Sequence, residues 1–207
     1  SMLAIATESS MSLSIALGSR PPIDVPLSEG DVIRAGGRDL TVLHRPGHSL
    51  SDIVLVDRAD GTAIVGDHLL AGMSPNPILA PPHEVKFPDA RTERVRSLLL
   101  YLDSVRKTAE DGLQLVLPGH GPSIGPPADL ITERLAFHER RAQKIAGMLG
   151  DEPRTVFELA SRLWKDVPIR QPQLTHSEVI GHLDLLAERG ETTDVPLEDG
   201  IVGFIAT

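Results

Sequence analysis

Between residues 31 and 66, apolar and polar positions alternate in four short runs, the pattern of strands that bury one face. The segment VIRAGGRDLTVL predicts two strands joined by its Gly-Gly pair. The segment DIVLVDRADGTAIVG predicts two more, Ile53–Asp57 and Thr62–Val65, joined by an Asp-Gly turn. Because the connections are short, we expect consecutive strands to pair antiparallel.

Farther along the chain the apolar spacing changes from two residues to three or four. This spacing predicts a helix with a buried stripe from residue 88 to about residue 109. The short apolar run LQLVL, residues 113–117, predicts a buried strand. A second long helix is predicted over residues 128–149, with one polar face.

Two other segments give weaker signals. Residues 3–6 resemble a short buried strand, and residues 11–17 are compatible with a helix or a strand. Residues 71–88 are rich in proline, which favours an irregular surface loop. That loop contains His83, which we place at the edge of a substrate cleft.

A change of pattern near residue 150 predicts a second domain. The segments TVFE, from Thr155, and THSE, from Thr175, match the capping box, in which a hydroxyl and a carboxylate satisfy N–H groups at the start of a helix. A hairpin with an Asp-Gly turn follows. Helices followed by a hairpin in so short a segment are typical of a winged helix. We therefore predict an α/β domain over residues 1–150 and a small winged-helix domain over 151–207.

Composition narrows the classes of function. The chain has no cysteine, so any metal site must use histidine and carboxylates. A formal net charge of −9 opposes sequence-independent binding to nucleic acid. No apolar run approaches the roughly 20 residues that span a bilayer, and the N-terminal segment lacks the basic start of a signal peptide. We expect a cytoplasmic protein without a membrane partner.

Three polar side chains share one context, just past the end of an apolar strand. His48 follows LTVLHRPG, Asp67 follows TAIVG, and His120 follows LQLVLPG. Strand ends converge in a layered α/β fold, so we expect these side chains to meet. Two imidazoles and a carboxylate suit zinc, and also iron or manganese. A single histidine in such a loop is more often a solvated turn residue, but three in matching contexts favour a metal site.

Neighbouring polar residues each have two interpretations. His44 either supports His48 or has a purely structural role. Asp52 either forms hydrogen bonds with the His48 loop or caps a strand. His68 either orients the adjacent carboxylate of Asp67 or is a buried core residue.

The sequence around these residues resembles a known family. RPGHS, IVGDHLL and LPGHG resemble the third, fourth and fifth metal motifs of the metallo-β-lactamase superfamily, closest to its glyoxalase-II-like, LACTB2-like branch. The segment RTVFELASRLWKDVPIRQPQLTHSEVIGHLDLLAERG resembles the winged-helix domain of those proteins. The resemblance spans about residues 28–190. It implies an α/β fold, the αββα sandwich, of which this chain carries the C-terminal portion.

The resemblance also implies roles for the three strand-end residues. His48 corresponds to a histidine on one metal ion, Asp67 to the catalytic carboxylate that bridges both ions, and His120 to a histidine on the second ion. The implied cofactor is two zinc ions. The implied reaction is hydrolysis, in which a metal-bridging hydroxide attacks a carbonyl or phosphoryl centre.

One departure from the family is large. Its HxHxDH signature, which supplies the other ligands, is absent, since no two of the eight histidines are separated by a single residue. We therefore expect that the N-terminal part of the sandwich is missing, and that the activity of this chain alone is impaired or lost. Missing strands expose edges and apolar faces, so we also expect a homodimer.

The favoured function is hydrolysis of a small-molecule ester or thioester by the full-length parent. Two alternatives stay open: a non-catalytic interaction or dimerisation module, and a phosphodiesterase or ribonuclease-type metallohydrolase. Binding to nucleic acid is disfavoured, because residues 151–207 contain five basic and eleven acidic residues, a net charge of −6.

Overall fold

The computed structural model describes residues 23–77 and 94–207. The strands of its larger sheet are β1 (Val32–Ala35), β2 (Arg38–His44), β3 (Ile53–Asp57), β4 (Thr62–Gly66) and β5 (Leu115–Pro118). The helices are α1 (Ser97–Glu110), α2 (Ala128–Ala146), α3 (Val156–Trp164), α4 (Val167–Arg170) and α5 (Pro172–Glu188). A smaller sheet contains β6 (Arg154–Thr155), β7 (Thr192–Pro196) and β8 (Val202–Ala206), with a 3-10 turn at Glu198–Gly200. In these two ranges every helix is too short or too polar to cross a bilayer.

The larger sheet has the order β1-β2-β3-β4-β5 and is mixed. Strands β1 to β4 pair antiparallel, so both predicted hairpins are confirmed. Their turns place Gly36, Gly37 and Gly61 at positive φ, where glycine avoids the strain of a side chain. Strand β5 pairs parallel to β4, which requires a crossover, and here the crossover includes α1. The parallel pairing brings the loop after β5 beside the end of β4.

The core lies between one face of this sheet and the helices. Residues on that face pack into a single buried cluster with α1, α2, α3 and α5. Its members from the sheet are Leu43, Val54, Val56, Ala63, Val65 and Val116. The buried stripe predicted for α1 is present at Leu98, Leu102 and Val105. The boundary predicted near residue 150 stays a prediction, and this core is continuous across it.

The opposite face of the larger sheet is open. Ile64 is paired with Leu55 on one side and with Leu117 on the other, which places the three side chains on the same face. Ile64 is 45% exposed, Leu115 38% and Leu117 36%. An apolar row at the surface of a sheet is a face on which another layer can pack.

Two helix boundaries differ from the prediction. The helix expected from residue 88 begins at Ser97, since residues 94–96 are not helical. Arg94 instead forms an ion pair with Asp184 of α5, and Arg96 pairs with Glu188 at 2.8 Å. The segments 3–6, 11–17 and 88–93, together with His83 and the second half of the proline-rich loop, lie outside the described residues. Helix α2 ends at Ala146, slightly before the predicted end.

Of the two predicted capping boxes, only the first is confirmed. The backbone N–H of Glu158 donates to the Thr155 hydroxyl at 3.2 Å, and the Thr155 N–H donates to the Glu158 carboxylate at 2.7 Å. The second is wrong because α5 begins one turn earlier, at Pro172, a residue suited to the first turn of a helix. Thr175 is therefore inside the helix, and its hydroxyl donates to the backbone oxygen of Gln171 at 3.0 Å.

Helix α5 is the central element of the C-terminal half. It packs against the four other helices that the structure describes. Residues 181–186 are all buried, so the helix is covered on every side there. At Gly181 an added Cβ would lie 2.9 Å from the Cβ of Leu98, which brings α5 close to α1.

Candidate metal centre

The loop between β2 and β3 carries His48 and is pressed against α1. At Gly47 an added Cβ would lie 2.4 Å from the Cα of Tyr101, so only glycine fits this approach. Next to it, the hydroxyl of Ser104 donates to the backbone oxygen of Pro46 at 2.7 Å. These contacts fix the position of the backbone immediately before His48.

Two of the predicted supporting residues form hydrogen bonds inside the same loop. The carboxylate of Asp52 accepts from the backbone N–H of Ser49 at 2.8 Å and from the Ser49 hydroxyl. The ring Nε2 of His44 lies 3.0 Å from the backbone oxygen of Leu50. The structure therefore places both side chains in contacts that shape the loop around His48.

Asp67 follows the last residue of β4, and the loop after β5 lies directly against it. The backbone N–H of Gly119 donates to the backbone oxygen of Gly66 at 2.7 Å. An added Cβ at Gly119 would lie 2.8 Å from the Oδ1 of Asp67. The absence of a side chain at Gly119 therefore lets the His120 loop approach this carboxylate.

The three residues predicted to meet do so at the strand ends. His48 Nε2 lies 3.6 Å from Oδ2 of Asp67, and His120 Nε2 lies 3.3 Å from Oδ1. Each imidazole thus faces a different oxygen of one carboxylate. The side chains of His48, Asp67 and His120 are 26%, 33% and 57% exposed, so solutes can reach all three.

This geometry fits part of a metal centre. Two donors bound to one zinc ion at about 2.1 Å with a tetrahedral angle lie about 3.4 Å apart. The separations of 3.3 and 3.6 Å match that value, and the second is too long for a hydrogen bond. Because the two imidazoles face different oxygens, they do not surround one point. Accordingly, within residues 23–77 and 94–207 no three His, Asp or Glu side chains form a complete cage for one ion.

The third predicted supporting residue, His68, lies in the core. Its Nε2 is 2.8 Å from the hydroxyl of Thr108, and its ring contacts that of Tyr101 edge-on. Burial, together with the nearby charge of Arg45, lowers the pKa of His68 to about 4. The structure therefore places this ring against α1, where it is neutral at physiological pH.

Two histidines on helices form a second buried group. Nδ1 of His138 lies 3.2 Å from Nε2 of His182, and the rings are stacked. Burial lowers the pKa of His138 to about 3 and that of His182 to about 4. Both rings are therefore neutral, and each has one nitrogen that donates and one that accepts a hydrogen bond.

Several residues that support the site were not predicted from the sequence. Asn76 contacts His48 through its backbone oxygen at 3.0 Å. Arg45, buried at the start of the His48 loop, forms an ion pair of 3.0 Å with Asp111 at the end of α1. No motif marks these residues, because each contact depends on how a loop folds onto a helix.

Comparison with known proteins decides the family. A sequence model of the metallo-beta-lactamase superfamily matches residues 4–120, more than half of the chain. The chain belongs to the metallo-beta-lactamase superfamily. The matched range contains His48, Asp67 and His120. The family as such implies metal ions.

Curated relatives of this superfamily member include hydrolases. The probable metallo-hydrolase YqjP of Bacillus subtilis is 37% identical over 146 residues, 70% of this chain and 44% of that protein. The beta-lactamase-like protein 2 homolog of Drosophila melanogaster is 23% identical over 176 residues, 82% of this chain and 54% of that protein. The atrochrysone carboxyl ACP thioesterase AacuM of Aspergillus aculeatus is 28% identical over 126 residues, 60% of this chain and 34% of that protein. The matched regions thus cover about a third to a half of these relatives.

Two solved structures of the superfamily share the fold. A metallo-beta-lactamase family protein from Thermus thermophilus has a TM-score of 0.75 and 24% identity, covering 97% of this chain and 64% of that one. A beta-lactamase domain protein from Burkholderia ambifaria has a TM-score of 0.75 and 27% identity, covering 91% and 54%. These similarities confirm the predicted α/β metallo-beta-lactamase-like fold. The glyoxalase-II-like branch and the winged helix stay predictions.

Proposed function

We propose that His48, Asp67 and His120 are zinc ligands of a centre that hydrolyses a small-molecule ester or thioester. The two imidazoles and the carboxylate of Asp67 would hold the ions. When bound, the ions supply Lewis-acid activation of the substrate carbonyl and of water. A complete centre would need further ligands besides these three residues.

The observation that carries this proposal is the pairing of each imidazole with a separate carboxylate oxygen. At 3.3 and 3.6 Å, each ring nitrogen faces an oxygen at the spacing of two ligands on a common ion. A cation between an imidazole nitrogen without a hydrogen and a carboxylate oxygen would bind the electron pairs of both. A carboxylate flanked in this way on both oxygens is suited to bridging two cations.

The surrounding residues hold these ligands and leave them accessible. Gly47 and Gly119 allow the two histidine loops to approach α1 and Asp67. The large exposed fraction of His120 leaves space for a substrate on that side. The chain's own contribution is therefore to bring donors from three strand ends together at an accessible part of the surface.

A thioester is the favoured substrate among carbonyl compounds. The support is the Aspergillus relative, whose name describes an acyl carrier protein thioesterase. An activated acyl bond needs only carbonyl polarisation and attack by water, which is the chemistry available at such a centre. A phosphodiester is the alternative substrate class, and the experiment below compares the two directly.

We also propose that residues 151–207 form a winged-helix domain that packs on the catalytic domain and takes no part in binding nucleic acid. Three helices followed by the β7–β8 hairpin support this assignment. Helix α5 would correspond to the recognition helix, and its residues 181–186 are buried, so that part of the helix is not available to a DNA groove. The net charge of −6 in this segment opposes the same contact.

Zinc titration of the purified 207-residue chain tests the ligand assignment. By calorimetry, we expect Asp67→Ala to weaken the binding of zinc by at least about tenfold, because both ions lose a ligand. The matched control is Asp103→Asn, which removes an exposed carboxylate that pairs with Lys107 on α1. Equal affinities for the wild type and Asp67→Ala would contradict the assignment, as would a wild type that binds no zinc at micromolar concentration.

Hydrolysis assays with zinc present test the substrate class. The probes are an acyl-coenzyme A thioester and bis(4-nitrophenyl) phosphate, each with the wild type and Asp67→Ala. We expect slow zinc-dependent cleavage of the thioester, because three ligands alone hold the ions weakly, and Asp67→Ala should abolish it. Cleavage of the phosphodiester alone would favour the alternative substrate, and a zinc-loaded chain that cleaves neither would favour a non-catalytic module.

A further inference from the structure

The loop at residues 74–77 connects the His48 loop to helix α5. On one side, Nδ1 of His48 lies 3.0 Å from the backbone oxygen of Asn76. On the other side, the side-chain amide of Asn76 donates to the backbone oxygen of Leu174 at 2.7 Å. One residue therefore contacts the candidate ligand through its backbone and the C-terminal helix through its side chain.

The first of these contacts determines which ring nitrogen of His48 carries hydrogen. A carbonyl oxygen can only accept, so Nδ1 must be the donor. In a neutral imidazole the other nitrogen, Nε2, then has a free electron pair. Nε2 is the atom that faces Oδ2 of Asp67 at 3.6 Å, so the contact with Asn76 leaves the metal-facing nitrogen ready to bind.

A second contact fixes the same loop, two residues before Asn76. The oxygen of Ser74 lies 3.1 Å from Nε2 of His138, whose Nδ1 lies 3.2 Å from Nε2 of His182. Nδ1 of His182 lies 2.7 Å from the backbone oxygen of Glu178 and must donate to it. With both rings neutral, His182 accepts from His138 and His138 accepts from Ser74, so all hydrogens in this series point the same way.

Both attachments of the loop lead to α5. Leu174 and Glu178 lie one helical turn apart on that helix, and His182 lies one turn farther. Residues 181–186 of α5 are buried among the other helices, so the helix is a rigid support for the loop. The loop is thus held by the C-terminal half of the chain while it contacts His48, which lies at the strand ends of the larger sheet.

We propose that Asn76 is a positioning residue: anchored to α5 by its side-chain amide, it holds His48 in the tautomer that has hydrogen on Nδ1 and a free Nε2. In this way helix α5 controls whether Nε2 of His48 has a free electron pair for a metal ion. The inference rests on the proposed function only for the role of His48 as a ligand. The tautomer and its dependence on Asn76 stand independently of metal binding.

The test is the tautomer of His48 in the zinc-free chain. Long-range 1H–15N correlation spectra of the 15N-labelled 207-residue protein distinguish a protonated Nδ1 from a protonated Nε2, and the signal that disappears in His48→Gln identifies the ring. We expect hydrogen on Nδ1 in the wild type. In Asn76→Ala, which keeps the backbone oxygen but loses the anchor to Leu174, we expect a mixture of tautomers.

The control is Gln114→Ala, which removes another side-chain amide that donates to a backbone oxygen, that of Gly112, at the opposite end of β5. This variant should keep the wild-type tautomer. Asn76→Asp is a second variant of the same shape that cannot donate to Leu174, and it should behave as Asn76→Ala does. Hydrogen on Nε2 in the wild type, or the wild-type tautomer in both Asn76 variants, would overturn the proposal.

Zinc titration separates this inference from the proposed function. We expect Asn76→Ala to weaken zinc binding by about 10- to 100-fold, the usual effect of losing a group that orients a ligand. If the tautomer responds to Asn76 but zinc leaves the His48 signals unchanged, the positioning role stands and the ligand assignment fails. If zinc shifts the His48 signals in every variant while the tautomer stays fixed, the ligand assignment stands and the positioning role fails.

Discussion

Gly119 controls how closely the His120 loop approaches Asp67. An added methyl group would lie 2.8 Å from Oδ1 of Asp67 and 3.3 Å from the carbonyl carbon of Gly66. We predict that Gly119→Ala turns the Asp67 carboxylate away from the two histidines. Zinc binding should weaken about tenfold, the size of effect seen when a group that orients a metal ligand is altered. The free energy of unfolding should fall by only about 1 kcal/mol, because the Asp67 side chain can rotate away from the added methyl group.

Calorimetric zinc titration and urea unfolding measure the two effects separately. Gly125→Ala is the matched control, because an added Cβ there meets no atom within 4 Å. It should leave zinc affinity unchanged. A large loss of stability in Gly119→Ala without a change in zinc affinity would mean that this glycine serves packing alone.

Between elements, the ion pair of Arg45 and Asp111 joins the His48 loop to the end of α1. The two side chains are only 7% and 11% exposed, so removing the carboxylate leaves a buried guanidinium without this partner. We predict that Asp111→Asn lowers the free energy of unfolding by about 3 kcal/mol. Urea unfolding measures the change. Asp103→Asn, in an exposed pair with Lys107, should cost at most about 0.5 kcal/mol, and equal effects would refute the argument.

The elements that could be predicted from sequence are those whose signals are local. The two hairpins follow from alternation and from glycines at positive φ, which act within a few residues. The capping box predicted at Thr155 is confirmed because its two hydrogen bonds also join residues only three positions apart. The identical pattern at Thr175 was wrong because Pro172, three residues earlier, already starts the helix. A motif of four residues therefore has meaning only when its position relative to the helix start is known.

The site could be predicted only in part. His48, Asp67 and His120 have a shared signal, a polar residue past an apolar strand, and the structure brings them together. Asn76 and Arg45 have no such signal, because their partners are a backbone oxygen and a residue on a distant helix. Contacts of this kind depend on how loops and helices pack in the folded protein, and the spacing of residues in the sequence does not indicate them.

For the whole molecule, three buried histidines make stability depend on pH. In the folded state the pKa values of His68, His138 and His182 are about 4, 3 and 4, below the ordinary value of 6.5, chiefly because of burial. Above pH 6.5 all three are neutral in both states, and stability is at its full value. As pH falls below 6.5 the unfolded chain binds protons that the folded chain excludes, so stability is lost down to about pH 4 for His68 and His182 and to about pH 3 for His138, where the pKa of each ring lies in the folded state.

We predict a slope of up to about 1.4 kcal/mol per pH unit for each histidine within that window. Urea unfolding at a series of pH values measures it. In His68→Gln, which carries no ionisable group at this position, the slope should fall by about a third. An unchanged slope would show that other groups dominate the acid response.

The open face of the larger sheet bears on the state of association. Ile64, Leu115 and Leu117 form an exposed apolar row, and we predict that the chain self-associates through it. Light scattering should show a dimer that Ile64→Lys converts to a monomer. Ile169→Lys, at an exposed apolar position on α4, should leave the mass unchanged. A wild type that stays monomeric at high concentration would contradict the prediction.

The parallel pairing of β4 with β5 has a consequence for the order in which the protein assembles. Strands β2, β3 and β4 are joined by short connections, so His48 and Asp67 can come together early, with little loss of chain entropy. The loop that carries His120 reaches them only after the long crossover closes and α1 docks. Pairings between distant parts of a chain form slowly. We expect His120 to join last, so that a newly made chain passes through a stage in which two of the three residues are in place and the third is still free.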